Sequence, residues 1–213
     1  VVIGEGNAGA VGVRWRGAQG TGLEDVTVRF EGRGVNDGLV GIVGGAGSGG
    51  AHHGVRVEGG RYGLDFRQGQ PSATLTRATL VNQSCGAILY EGYEALTAVG
   101  LVVSGLKGCV AVSSGFPVPL PPAGDACSLP SMSNGDQQMS DGIVAGPVSL
   151  IDTRFEFDTS TAAIGGDCGD GAPRVAVSTN RSLYVRRMYL RGANAVARFA
   201  AGSGHAKLLR PPA

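Results

Sequence analysis

At 213 residues and 42% hydrophobic, the chain is long enough for one packed domain and too apolar to be disordered. Thirty-eight glycines against only 10 prolines exclude a collagen or a Pro/Gly linker. The net charge of +1 carries no overall signal for nucleic acid, and no apolar run is long enough to insert in a membrane.

In chain order, two series of short strands recur. The first has the form L-x-x-φ-x-φ, where φ is apolar. It runs Leu23…Val26-Thr-Val28, Val55-Arg-Val57, Leu75…Ala78-Thr-Leu80, Leu96…Val99-Gly-Leu101, Leu150…Thr153-Arg-Phe155 and Leu183…Arg186-Arg-Met188. The second begins with a small residue: Gly12-Val13-Arg-Trp15, Gly38-Leu39, Gly63-Leu64-Asp-Phe66, Gly86-Ala87-Ile88, Gly108-Cys109-Val110, Ala162-Ala163-Ile164 and Asn194-Ala195-Val196. Gaps between anchors in the first series are 29, 23, 21, 54 and 33 residues; from Leu39 the second gives 25, 23, 22, 54 and 32.

Independent strands would not keep pace in this way. Stacked coils would, because an insertion in one coil displaces both of its strands. Alternation within each strand has period two, and no window keeps a helical apolar stripe free of a Gly or β-branched break. The expectation is all-β: a single-stranded, right-handed parallel β-helix of six or seven coils forming one domain over 1–213. Gly before the second strand is read as freedom for a sharp corner. Residues 113–147, with six prolines among Ser, Gly and Asp, are read as a protruding loop, since Pro at that density cannot feed a central ladder.

Four cysteines, Cys85, Cys109, Cys127 and Cys168, lack zinc-site spacing. Two disulfides are possible in an oxidising compartment, with three connectivities, of which Cys127–Cys168 between Gly-rich loops is favoured; small buried thiols at Cys85 and Cys109 are the alternative. His52-His53 reads as a loop pair, because neighbours on a strand face opposite ways and could not share a metal. No metal or cofactor is expected. Asn82-Gln-Ser84 and Asn180-Arg-Ser182 are glycosylation sequons, meaningful only in a eukaryotic secretory protein. The ends, VVIG and Arg210-Pro-Pro-Ala, read as those of a piece of a longer chain.

The run Gly12-Val-Arg-Trp15, Ala18-Gln19-Gly20, Leu23-Glu-Asp-Val26, Gly47-Ser-Gly-Gly50, Gly59-Gly-Arg-Tyr-Gly63 and Gln68-Gly-Gln70 resembles the pectate-lyase-like β-helix superfamily. Within it, the run looks most like the N-terminal β-helix of glycoside hydrolase family 55 and of phage tailspike relatives, over about residues 10–112. The resemblance implies a secreted, extracellular protein that acts on or grips a polysaccharide, either as a hydrolase or lyase or as a structural or recognition module. It also implies a second β-helix domain or neighbouring chains as partners. The family's tryptophan-rich turn is replaced here by Tyr90-Glu-Gly-Tyr93-Glu94, and the polygalacturonase aspartates are missing.

Sugar hydrolysis needs two carboxyls roughly 5–10 Å apart. Asp65, Glu91 and Glu94 are the candidate catalytic set; Asp65 should point outward between Leu64 and Phe66, about one coil from Glu91. Asp152, Glu156 and Asp158 are further carboxylates in a later coil. Gln68 and Gln70 could hold sugar hydroxyls, and Tyr90 and Tyr93 could offer stacking faces. The plainer reading pairs these carboxylates with Arg61, Arg67 or Arg77. Arg181 to Ala213 carries seven basic residues and no acid: either a strip for an anionic glycan, or outward positions with acidic partners on a neighbouring coil.

Overall fold

The structure, a computed structural model, describes residues 1–32, 38–67, 74–92, 94–115, 127, 146–160, 173–199 and 207–209. Its strands, in chain order, are β1 (Val2–Ile3), β2 (Val11–Arg16), β3 (Gly22–Glu24), β4 (Thr27–Phe30), β5 (Val40–Gly45), β6 (Ala51–His53), β7 (Arg56–Glu58), β8 (Tyr62–Phe66), β9 (Thr74–Thr76) and β10 (Thr79–Val81). They continue as β11 (Gly86–Tyr90), β12 (Leu96–Val99), β13 (Val102–Leu106), β14 (Val110–Ser114), β15 (Val148–Phe157), β16 (Val175–Thr179), β17 (Leu183–Arg191), β18 (Ala195–Phe199) and β19 (Lys207–Leu209). No helix among the described residues is long and apolar enough to cross a membrane.

The strands form two curled sheets. An eight-stranded sheet runs β2-β5-β8-β11-β14-β16-β18-β19. An eleven-stranded sheet runs β1-β4-β7-β10-β13 along one arm and β3-β6-β9-β12 along the other, with β15 joining the arms and β17 beside it. Pairing is parallel throughout, except that β19 runs antiparallel to β18. Up to the β12–β15 pair, strands three apart in sequence pair with one another; from β13 onward partners are also two apart, since β15 and β17 each run along both arms, an order consistent with a parallel β-helix.

Apolar columns stack along the axis. Leu23, His52, Leu75, Ala98, Leu150 and Val185 share one register position. Val28, Val57, Leu80, Val103, Phe155 and Leu190 share another. Opposite them stand Val13, Ile42, Leu64, Ile88, Val112, Val177 and Ala197. Each fully buried Leu, Ile or Val removes enough apolar surface from water to stabilise the fold by about 1.5–3 kcal/mol.

The expected register changes in several places; in the second series Ile42 rather than Leu39, and Ile88 rather than Ala87, stand in line with Leu64. Leu101 pairs in line with Ala78 rather than Leu80, and Met188 with Thr153 rather than Phe155. Both are slips of two residues, which leave the inward face unchanged and so are invisible to a period-two pattern. The strand of the eight-stranded sheet after β14 is Val175–Thr179; Ala162-Ala163-Ile164 lies outside the described residues.

The corner role expected of Gly changes at Gly12, and Gly41 within β5 plays the same part as Gly12. Neither has positive φ. A Cβ on Gly12 would collide with Val28, and one on Gly41 with Val57, across the interior. These glycines let the two sheets approach each other.

The arms of the larger sheet meet at a one-residue bend in the left-handed region: Asp25 (φ 50), Gly54 (62), Arg77 (55), Gly100 (67), Asp152 (54) and Arg187 (54). The ladder survives the bend. The amides of Asp25, Gly54, Arg77 and Gly100 donate to His53, Thr76, Val99 and Ile151 carbonyls at 2.9–3.0 Å.

The disulfide is Cys85–Cys127, with Cα atoms 5.4 Å apart, and this overturns the Cys127–Cys168 expectation. Cys109 is also disulfide-bonded rather than a free buried thiol; Cys168 lies outside the described residues. Disulfides of this kind persist in oxidising surroundings. Of the expected loop 113–147, Ser113 and Ser114 belong to β14, Gly146 and Pro147 lead into β15, and most of the rest lies outside the described residues.

Candidate functional site

Alternation in β8 places Leu64 and Phe66 in the core and Asp65 on the outer face. That outer face is covered, and Asp65 is only 1% exposed. Arg67 closes on it: Nε donates to Oδ1 at 2.9 Å, Nη2 to Oδ2 at 2.7 Å, and the backbone N–H to Oδ1 at 3.1 Å. Burial works against the Arg67 charge. Asp65, with Glu91 adding to it, more than offsets this and holds the guanidinium above its ordinary value. The register sets Glu91 opposite Arg67 on the next circuit, so the fold brings Asp65 and Glu91 to one arginine. A carboxylate gripped at both oxygens is an anchor, with its lone pairs already engaged.

Glu94 accepts a hydrogen bond from Ser48 Oγ at 2.7 Å. Its backbone carbonyl accepts one from the Tyr90 hydroxyl. Tyr90 is fully buried, so its ring braces the core and offers no stacking face. Burial first, and the Glu94 charge second, push the Tyr90 hydroxyl pKa above its usual value. Gln68, Gln70 and Tyr93 lie outside the described residues.

The later carboxylates are paired. Arg187 holds Asp152 at both oxygens and Arg154 holds Glu156 at 2.7 Å; these hydrogen bonds lower both carboxyls below the usual range. Asp158 Oδ1 accepts from the Ser160 amide at 2.8 Å and its hydroxyl at 2.6 Å. Partners on a neighbouring strand therefore account for Arg187 of the basic segment, and Arg198 donates to Ser178 Oγ.

The histidines are not a loop pair. Both lie in β6 and face opposite ways. His53 Nδ1 is 2.7 Å from Thr76 Oγ1. His52 takes the inward place that a leucine holds before and after it, 4.9 Å from the Phe66 ring and 5.9 Å from Trp15. Its ring nitrogens meet no hydrogen-bond partner. Desolvation lowers its pKa to about 4, against an opposing contribution from the Thr74 backbone. Among the described residues, no group of three or more His, Cys, Asp or Glu gathers to hold a metal.

A cleft of about 580 Å³ lies elsewhere, where the β4-β7-β10-β13 arm of the larger sheet turns toward the smaller one. Successive circuits line it: Arg29 and Glu31 at the end of β4, Glu58 in β7, Asn82 and Ser84 after β10, Lys107 after β13 and Asp158 after β15. At about 4.8 Å per strand, four such steps run roughly 19 Å along the axis. Glu58 is held by Arg56 at 2.6 Å and Arg29 at 3.7 Å. The buried Gln83 carboxamide donates to the carbonyls of Val57, Gly59 and Val81 at 2.9–3.2 Å, which stiffens this turn. The sequence reading missed the cleft. The signal was there in polar and glycine residues at a fixed offset after each strand: Glu31-Gly32, Gly59-Gly60, Asn82-Gln83-Ser84 and Lys107-Gly108.

Compared with protein-family models, with curated proteins and with solved structures, the chain finds no match.

Proposed function

We propose that the chain is a single right-handed parallel β-helix of six or seven coils, of the pectate-lyase-like kind, that binds a hydroxyl-rich polysaccharide outside the cell without cleaving it. The observation that carries this reading is the axial cleft. Carboxylate, amide, hydroxyl and ammonium groups from successive circuits line one polar trench. An extended uncharged glycan presents donors and acceptors in a repeating row that such a trench can match. Binding without cleavage is supported by the carboxylates themselves: Asp65, Asp152 and Glu156 are all engaged by arginine. A general acid needs a carboxyl raised toward neutrality, whereas Asp152 and Glu156 are lowered.

Calorimetric titration with laminarin tests the reading. Binding should weaken at least tenfold in a Glu31→Gln/Lys107→Gln variant whose melting temperature is unchanged. Laminarin binding that is absent, or identical in the variant, would sink it. Laminarin, pectin and alginate should release no reducing or unsaturated ends with the parent protein, Glu91→Gln or Glu94→Gln. Turnover by the parent would restore an enzymatic reading.

A further inference from the structure

A second surface carries different chemistry. In β17, Leu183, Met188 and Leu190 pack toward the core, so the residues between them face out. These are Tyr184, Arg186, Tyr189 and Arg191, arranged about the bend at Arg187. The two tyrosines are 54% and 50% exposed, unusual for rings that could have been buried. Four residues of strand lie between them, and the bend at Arg187 sets Tyr184 and Arg186 on one arm of the larger sheet and Tyr189 and Arg191 on the other.

Arg154 on β15 lies 4.8 Å from the centre of the Tyr189 ring and props it, while itself held by Glu156. Arg187 is held by Asp152. Arg154, Arg186, Arg187 and Arg191 thus face only Asp152 and Glu156, four cations to two anions among the described residues. The surplus falls at Arg186 and Arg191, each interleaved with a tyrosine.

We infer that this face of β17 holds a carboxylate-bearing polysaccharide, a polyuronate. Tyrosine gives a broad, rigid, amphipathic contact at small cost in side-chain freedom. Guanidinium pairs with a carboxylate through two parallel hydrogen bonds. Duplex nucleic acid carries about one charge per 1.7 Å of axis and calls for a dense line of cations; a single strand, whose bases stack on aromatic rings, is the competing polyanion that the oligonucleotide tests. Two surplus charges on a chain of net charge +1 suit a sparser polymer. The inference stands on residues separate from the cleft and does not depend on it.

Titration with alginate, laminarin and a thymidine oligonucleotide, each at low and high salt, decides the matter. Alginate should bind, and more weakly as salt rises. Its affinity should fall at least tenfold in Tyr184→Ala/Tyr189→Ala, and again in the independent pair Arg186→Gln/Arg191→Gln. Laminarin binding should be unchanged in both. No alginate binding, parent-like alginate binding in either variant, or tighter binding of the oligonucleotide would overturn the inference. Loss of laminarin binding in Glu31→Gln/Lys107→Gln with alginate retained would separate the two surfaces; failure of laminarin alone counts against the cleft only.

Discussion

Asp65 in β8 and Arg186 in β17 occupy the same kind of place, an outward charged residue beside inward apolar ones. The first is buried and the second lies open to water. Strand alternation fixes direction in both cases and says nothing about cover. On the smaller sheet the cover comes from outside the strands. Cys127 is tied to Cys85 and takes a 2.7 Å hydrogen bond from the Tyr62 hydroxyl. A second apolar cluster of Leu39, Val40, Val43, Tyr62, Cys85, Leu89 and Cys127 forms on that face. There the outer face becomes a second core; at β17 it remains a surface.

The comparison can be broken at its tether. Replacing Cys85 and Cys127 by serine frees a loop with a sequence separation of 42 residues, for which chain entropy assigns about 4 kcal/mol. The urea midpoint should fall accordingly, and Tyr62 should become accessible to solvent quenchers. A smaller effect follows from Asp65→Ala. It strands Arg67, whose side chain is 12% exposed, and should cost about 3 kcal/mol in chemical denaturation.

His52 sharpens the same contrast from the inner side, where a titratable group sits in the apolar column. Its folded pKa of about 4 lies below the unfolded value of about 6.5, so the unfolded chain binds the extra proton between them. Stability is therefore complete above pH 6.5 and falls as pH drops toward 4. About 2 kcal/mol should be gone by pH 5. His52→Leu should remove that component of the acid sensitivity, measured as denaturant midpoint against pH. At the exposed extreme, Asp152→Asn, which keeps a side chain tolerant of positive φ, should leave thermal stability unchanged within error, because water already screens the pair with Arg187.

Much of the fold was legible because two series of period-two apolar strands recur with gaps that rise and fall together, which stacked strands explain. The slips at Leu101 and Met188 were not legible, since two residues is the repeat of the pattern itself. His52 hid one member of the inner column by putting an imidazole where Leu23 and Leu75 mark the series. The nearness of Asp65 and Glu91 was readable from coil length, but the Arg67 clasp needed three dimensions. Cysteine pairing was beyond reach, because residence in a Gly-rich loop says nothing about which distant corner that loop covers.

The column of left-handed bends has a consequence for how this scaffold can be written upon. Asp25, Arg77, Asp152 and Arg187 all project from it into solvent, outside the core and outside the alternation of the strands. With Gly54 and Gly100 between them, these positions form a line of addresses spaced about 4.8 Å per circuit. A residue there answers to one local demand, tolerance of positive φ, which Asn and Gly meet most easily. Charge, label or ligand could be rewritten at these positions one circuit at a time, as on a ruler whose markings leave its stiffness unchanged.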